Sequence, residues 1–277
     1  MSALSSEKHL LHTTDYNTSF NTNLYLKGVY SGVDIDPNKT PFAAFFLENT
    51  VQILHDEQKR LGNEKALEFG GGPSLWPSFL LAQYVDSIRF CYYTQANLDV
   101  VTDWIEKKPN AFDWTRFFEW VLDIVGNPKE KRIEWESRLR NALNQGGLST
   151  CNVNDPHCPI LSGKANDYDI IFSSLCLEAA CLTIEIFDET IKRLVRLLKP
   201  GGLLLLAMVR NNSYYYVNGE KFFCLPLDEK KVEKALRATG ELVDIHIDSW
   251  NATIDDKQRN TISELDGKMV IRAYKTI

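Results

Sequence analysis

A chain of 277 residues suits one large α/β domain with additions, or two small domains. Its 44% hydrophobic and 25% charged residues are ordinary for a globular protein, and a formal charge of −6 with a pI near 5.5 argues against the basic face of a nucleic-acid binder. No run of about 18 apolar residues exists, which argues against a transmembrane helix, and the start MSALSSEKHLLHTTDY lacks an apolar core of signal-peptide length.

The first 30 residues are polar, rich in Asn and Thr, and carry Tyr16, Phe20, Tyr25 and Tyr30. Residues 41–61 predict a helix, with Pro41 in its first turn and apolar residues at helical spacing. This part precedes the first strand, so it is a packing cap or a lid. KALEF, 65–69, then reads as a short buried strand, followed by Gly70, Gly71, Gly72 and Pro73. A helix is expected from Ser74, whose hydroxyl has N-cap chemistry, through SFLLAQYV. Strand, glycine turn and helix form the opening unit of a nucleotide-binding α/β sheet, and glycines let backbone N–H groups approach a ligand. Leu75 stands where the third glycine of G-x-G-x-x-G would be. An acid-x-G-x-G pattern beginning at Glu68, of the kind that holds S-adenosylmethionine, therefore fits better than pyrophosphate binding.

SIRFCYY, 87–93, is the expected second strand, and residues 97–108 form a helix stopped by Pro109. Two helical segments follow within 111–143, the second of them, KEKRIEWESRLRNAL, a solvated surface helix with a thin apolar stripe. A short third strand is expected at 148–153. YDIIFSS, 168–174, is nearly all apolar, as a strand covered on both faces should be. A helix over 184–198 stops at Lys199-Pro200-Gly201-Gly202, and 202–209 is the most hydrophobic strand. A helix at 228–238 precedes two alternating strands, ELVDIHID and KMVIRAYK, expected as a hairpin-like antiparallel edge. The expected organisation is one domain spanning 1–277, with residues 1–62 as cap and 63–277 as a Rossmann-like core carrying a helical insertion at about 108–147.

The six cysteines, Cys91, Cys151, Cys158, Cys176, Cys181 and Cys224, include no C-x-x-C pair and read as reduced cytosolic thiols. Cys151, His157 and Cys158 lack a second pair at zinc-finger spacing, so a loop with incidental ligand types is preferred to a metal site. His9, His12, His55, His157 and His246 are scattered and read as structural or surface residues.

Several runs together resemble the nicotinamide, phenylethanolamine and indolethylamine N-methyltransferase family almost end to end. They are Phe20-Asn21 to Tyr30, Glu68-Phe69-Gly70-Gly71-Gly72-Pro73, Gln95-Ala96-Asn97-Leu98, Pro109-Asn110-Ala111-Phe112-Asp113-Trp114, Ser174-Leu175-Cys176-Leu177-Glu178-Ala179-Ala180-Cys181, Leu198-Lys199-Pro200-Gly201-Gly202 and Ser213-Tyr214-Tyr215. The resemblance implies a class I methyltransferase fold, a seven-strand sheet parallel except for one strand with helices on both faces. It also implies S-adenosylmethionine as methyl donor and a small amine or N-heterocycle as acceptor.

Carried over residue by residue, the resemblance assigns Tyr25 and Tyr30 to closing over cofactor and substrate, with Tyr25 and Glu178 as the catalytic candidates. Gly70, Gly71 and Gly72 fall under the cofactor's methionine portion. Trp76 stands where relatives usually have a tyrosine, and Asn97 matches an Asn in the loop after strand two. Asn152 and Val153 match an Asp-Val pair beside the adenine; an amide oxygen can accept from the adenine amino group as a carboxylate does. Ser174 keeps the hydroxyl of a Thr. Tyr92 replaces the acid that takes both ribose hydroxyls, and a phenol makes one hydrogen bond where the acid makes a charged pair. On the substrate side stand Leu175, Tyr215, Met208 in place of a carboxamide-orienting Asp, and Cys224 in place of a Ser.

Methyl transfer asks chiefly for alignment of nucleophile, methyl carbon and sulfur with water excluded. The expectation is an S-adenosylmethionine-dependent N-methyltransferase of a small amine or N-heterocycle other than nicotinamide, needing no metal, no nucleic acid and no membrane, and acting as a cytosolic monomer. The alternative is a relative that kept the fold as a binding or scaffold protein and lost its cofactor acids.

Overall fold

The computed structural model describes residues 10–31, 43–259, 262–264 and 266–277. Pro41 and His9 lie outside the described residues. Seven strands build the main sheet: β1 Lys65–Phe69, β2 Ser87–Tyr92, β3 Leu148–Thr150, β4 Tyr168–Ser174, β5 Leu198–Arg210, β6 Leu242–Asn251 and β7 Gly267–Lys275. Their order is β3-β2-β1-β4-β5-β7-β6. β1 to β5 pair in parallel, and β7 runs antiparallel to β5 and to β6. This is the Rossmann-like sheet that the sequence leads one to expect, parallel except for one strand.

The terminal strand pair is the expected antiparallel edge: β6 and β7 pair antiparallel, with β7 joined to β5 and β6 outermost. What departs from expectation is the alternation, which β7 lacks. Its residues are buried along nearly the whole strand, whereas β6 is half-buried or exposed throughout. A strand covered on both faces belongs inside a sheet, and an alternating or polar one can face water.

Alternation along β5 divides the core. Leu203 and Leu205 join Phe79, Phe118 and Val270 on one face; Leu204 and Leu206 join Phe187, Leu236 and Ile271 on the other. The helices Ala44–Glu57, Trp76–Leu81, Gln95–Ile105, Thr115–Val125 and Arg132–Gly146 supply the first face, and Ile184–Leu197 and Glu229–Ala238 the second. Helix 132–146 is the solvated surface helix expected, joined to the layer by its thin apolar stripe. It buries Leu139, Ala142 and Leu143, and a Cβ on Gly146 would fall 2.0 Å from the Ile88 carbonyl oxygen of β2. Only glycine lets the two backbones approach that closely.

The helix after the glycine turn also differs from expectation. It starts at Trp76 with Leu75 as N-cap and Pro77 in its first turn, and ends at Leu81. Ser74 is not its cap. The Ser74 N–H donates to the Gly71 carbonyl at 3.1 Å, so Ser74 still belongs to the turn.

A second, three-stranded sheet was not expected. Leu10–Leu11 pairs in parallel with Glu220–Phe223, which pairs antiparallel with Tyr214–Val217. Asn218 and Gly219 turn this hairpin at φ of 51° and 79°. An Asn-Gly pair with both φ positive suits the tight turn that matches strand twist. The small sheet stands beyond the carboxyl end of β5, the end at which ligands bind in open α/β sheets.

Candidate functional site

A cavity of about 540 Å³ lies at the carboxyl ends of β1, β2, β4 and β5. That size falls within the roughly 300–1,000 Å³ usual for small-molecule sites. Its floor is the turn from Phe69 to Ser74. Its walls are Tyr92 and Tyr93, Cys151 to Val153, Ser174 to Cys176 and Val209. Tyr16, Phe20 and Tyr25 from the N-terminal segment roof it, with Tyr215 from the hairpin of the small sheet.

The three glycines do different work. Gly70 has φ of +78°, and a Cβ there would sit 1.9 Å from the Cys176 sulfur. A Cβ on Gly71 would meet the Phe90 ring at 2.4 Å. The N–H groups of both donate to the Cys91 carbonyl, at 2.9 and 3.3 Å. Those two amides therefore tie the turn to β2 and are spent, contrary to the expectation that they face a ligand. Gly72, at φ of +63°, has only the Tyr92 ring near it, at 3.8 Å, and opens on the cavity.

Glu68 is not on the cavity wall. It is fully buried behind the turn, where one oxygen accepts from the Ser78 hydroxyl and Oε1 has no partner. Burial pushes its carboxyl up to about 8. Ser74 and Ser174 do line the cavity, and neither hydroxyl has a partner. Trp76 lines it with its ring edge-on to Phe172 at 5.5 Å. Asn152 and Val153 lie on the wall after β3. The Asn152 side-chain oxygen already accepts the Asn154 N–H at 2.9 Å, which leaves it one lone pair for a ligand.

Tyr92 ends β2 and borders the cavity as a phenol held neutral: burial raises its pKa well above 10. Asn97 stands behind the wall, fully buried, and its side-chain oxygen accepts from the Thr22 hydroxyl. It thus anchors helix Thr22–Tyr30 to helix 95–105 and does not line the cavity, a correction to its expected place. Helix 22–30 carries Tyr25 over the cavity, 5.2 Å from Phe20. Tyr30 lines the cavity too, but packs on Trp114 at 5.0 Å and Phe117 at 5.2 Å, so it also seats the helix.

Met208 is a second correction. It is buried in the core with Met269 and Leu206 and does not border the cavity. Strand alternation puts Val209 there instead. Leu175, Tyr215 and Cys224 all line the cavity; Leu175 has φ of +51°, a strained setting for a branched side chain. Tyr214 is outside it, its ring under the Lys221 ammonium at 3.9 Å. Sequence reasoning gave no role to Tyr16, Val209 or Asn212, and gave Ser74 only that of a helix cap; all four are on the wall. Tyr16 bonds its hydroxyl to that of Tyr215 and meets Phe222 edge-on at 5.3 Å, closing the cap on the hairpin.

Among the described residues Glu178 is the one carboxylate on the wall, and no Lys, Arg or His joins it. It is 2% exposed. Oε1 accepts the Val209 N–H at 2.9 Å and Oε2 has no partner. Burial pushes the carboxyl up to about 7, against the lowering effect of the Val209 bond. An acid poised near neutrality in an uncharged aromatic cavity can hold a cation and take its proton. Elsewhere, Cys151 and Cys158 bring their sulfurs to 3.1 Å while His157 is exposed. Among the described residues no three side chains are grouped to hold a metal ion, and no helix is long and apolar enough to cross a membrane.

Comparison with known proteins agrees with this architecture. A sequence profile of the NNMT/PNMT/TEMT family matches residues 7–276. Nicotinamide N-methyltransferase of Homo sapiens is 27% identical over 260 residues, 94% of each chain. Indolethylamine N-methyltransferase of Mus musculus is 26% identical over 226 residues, 82% of this chain and 83% of that one. Among solved structures, the [4+2]-cyclase SpnF aligns with a TM-score of 0.57 at 14% identity over 95% of both chains. Haemonchus contortus phosphoethanolamine N-methyltransferase 2, solved with S-adenosyl-L-methionine, aligns with a TM-score of 0.55 at 12% identity, covering 95% of this chain and 59% of that one. The structural likenesses bear on the fold, and the sequence matches bear on descent: the chain belongs to the NNMT/PNMT/TEMT family, and with it to the S-adenosylmethionine-dependent N-methyltransferases.

Proposed function

We propose that this chain methylates the nitrogen of a small aromatic or alkyl amine in preference to nicotinamide. Glu178 carries the reading: among the described residues it is the one charged side chain of an aromatic cavity, with Oε1 fixed by the Val209 N–H and Oε2 without a partner. An amine with a pKa like that of lysine, about 10, arrives as an ammonium ion and must lose a proton before its lone pair can attack. A carboxyl raised to about 7 pairs with the ammonium and is basic enough to take that proton. The ring nitrogen of a pyridine has no proton to lose, so Glu178 offers it nothing. Leu175, Val209, Tyr215 and Cys224 give the rest of this region an apolar or weakly polar surface. Met208, off the cavity wall, makes no contact with the substrate in this reading.

S-adenosylmethionine, when bound, supplies an electrophilic methyl on a sulfonium. The residues fit such a group: Gly72 leaves open space at the turn, and the unpartnered Ser74 and Ser174 hydroxyls lie on the wall. Asn152, Val153, Trp76 and Tyr92 complete the set that would hold it. Tyr92 weakens that grip, because one neutral hydrogen bond replaces a charged pair to the ribose. The loss is roughly 1.5–3 kcal/mol, about ten- to a hundredfold in affinity. Tyr25 and the Tyr16–Tyr215 pair close the site and exclude water. Tyr92 also favours a second reading, a binding protein without turnover.

The reading extends to a cytosolic monomer in which residues 1–62 cap the remainder. The test is a methyl-transfer assay with phenylethylamine-like and tryptamine-like amines against nicotinamide. Turnover of an amine with little or none of nicotinamide is expected. Efficient turnover of nicotinamide refutes the substrate assignment, and absence of S-adenosylmethionine binding at millimolar concentration selects the second reading.

A further inference from the structure

We infer that Cys151 and Cys158 form an oxidisable dithiol whose closure to a disulfide locks the cavity wall beside Asn152 and Val153. Their sulfurs are 3.1 Å apart. A disulfide needs about 2.05 Å, so each sulfur moves by roughly half an ångström. The two residues bracket a loop already held at both ends. The Cys151 N–H donates to the Tyr92 carbonyl at 2.7 Å, and the Cys158 N–H to the Asp155 carbonyl at 3.1 Å. Cys158 lies in the apolar core with Leu161 and Leu194, while Cys151 borders the cavity. The pair thus has one residue on the cavity wall and one behind it. The hydrogen bond that the two thiols share lowers the pKa of Cys158 and raises that of Cys151, so a proton is held between the two sulfurs.

The oxidant is a peroxide, small enough to enter the cavity. The Cys151 sulfur, on the cavity side, attacks the O–O bond and becomes a sulfenic acid as its proton leaves along the hydrogen bond to Cys158; the hydroxide released takes up that proton as water. The second thiol then displaces the sulfenic oxygen as another water while the S–S bond forms. Two thiols and one hydrogen peroxide give one disulfide and two waters, with sulfur oxidised and peroxide reduced. Cys176 and Cys224 also border the cavity but have no second thiol at such a distance, so oxidation there adds oxygen and removes no hydrogen. Closure fixes residues 151–158 without removing a side chain from the wall. The ordering cost of binding is then met in advance, and affinity for a ligand against Asn152 and Val153 rises by roughly two- to fivefold.

The full-length chain is treated with stoichiometric hydrogen peroxide, with and without S-adenosylhomocysteine, and digested with trypsin, which leaves both cysteines in one peptide, residues 141–164. The expected result is a 2 Da loss confined to that peptide, reversed by dithiothreitol and slowed by S-adenosylhomocysteine. Cys158→Ser should replace it by a 16 Da gain at Cys151. Calorimetry with S-adenosylhomocysteine on oxidised and reduced protein should give the affinity rise. A disulfide from Cys151 to the neighbouring Cys91, or oxygen addition without a disulfide, overturns the site. A 151–158 disulfide with unchanged or weakened affinity overturns its coupling to the wall. Failure of the reduced protein to bind leaves the mass readout to decide the dithiol and counts against the proposed methyl-donor site instead.

Discussion

Replacing Glu68 by Gln should change how stability depends on pH, because this carboxyl is buried with half its hydrogen-bonding capacity unused. Its ordinary value of 4.5 is raised to about 8 in the fold, by desolvation. A raised folded-state pKa means that the native state binds a proton the unfolded chain releases. Its contribution to stability is complete below pH 4.5 and is lost as pH climbs towards 8. One pH unit of that difference is worth about 1.36 kcal/mol, so moving from pH 5 to pH 7.5 costs the native protein roughly 3 kcal/mol through this one group. Gln cannot ionise, and its carbonyl oxygen can still accept from Ser78. The variant should therefore lose this slope, whatever its stability at a single pH. Urea unfolding of both proteins at pH 5, 6, 7 and 7.5 measures it. With an m-value near 3 kcal/mol/M, the midpoints should diverge by about 1 M across the series. Parallel pH dependences would refute the placement of an isolated, desolvated carboxyl under the glycine turn.

Three further outcomes follow from neighbouring contacts. Gly70→Ala should abolish S-adenosylhomocysteine binding and lower stability, since the new Cβ meets both the sulfur and the Cβ of Cys176; adding Cys176→Gly should restore part of the loss but not the roughly 1–2 kcal/mol of positive-φ strain. Asn97→Ala frees the Thr22 hydroxyl and should speed hydrogen exchange in residues 22–30 while leaving the sheet protected; uniform loss of protection would place Asn97 in the core and not in the cap tether. Tyr92→Asp should tighten S-adenosylmethionine binding about tenfold by calorimetry and destabilise the ligand-free protein; unchanged affinity would mean that the ribose is held by other groups.

The alternating order of strands and helices is legible in short apolar runs bounded by glycine and proline. KALEF before Gly70, YDIIFSS and LLLLAMV all become strands of the main sheet. The direction in which a strand residue points was harder to read. Counting back from Ser213-Tyr214-Tyr215 finds Met208, but β5 ends at Arg210 and alternation alone decides that Val209 faces the cavity. Glu68 shows the same limit from the other side: an acid beside glycines invites a ligand role, yet its side chain turns under the loop to Ser78. β7 takes its place through pairing with β5, a long-range choice that its local pattern leaves open. The Tyr16–Tyr215 contact joins residues 199 apart in sequence and depends on Leu10–Leu11 pairing with the hairpin. That hairpin carried a readable signal in Asn218-Gly219 between YYYV and EKFF.

If Glu178 receives the proton of an amine substrate, the pH–rate profile of the enzyme carries its titration. Below about pH 7 the carboxyl is protonated and can neither pair with an ammonium ion nor accept its proton. For the best amine, kcat/KM should therefore fall about tenfold per unit below pH 7. In Glu178→Gln, whose amide oxygen can still accept the Val209 N–H, that limb should vanish and the rate at pH 8 should drop by about a hundredfold or more, with S-adenosylhomocysteine affinity unchanged. A Gln variant that keeps the acid limb, or that loses cofactor affinity in step with rate, would contradict the assignment.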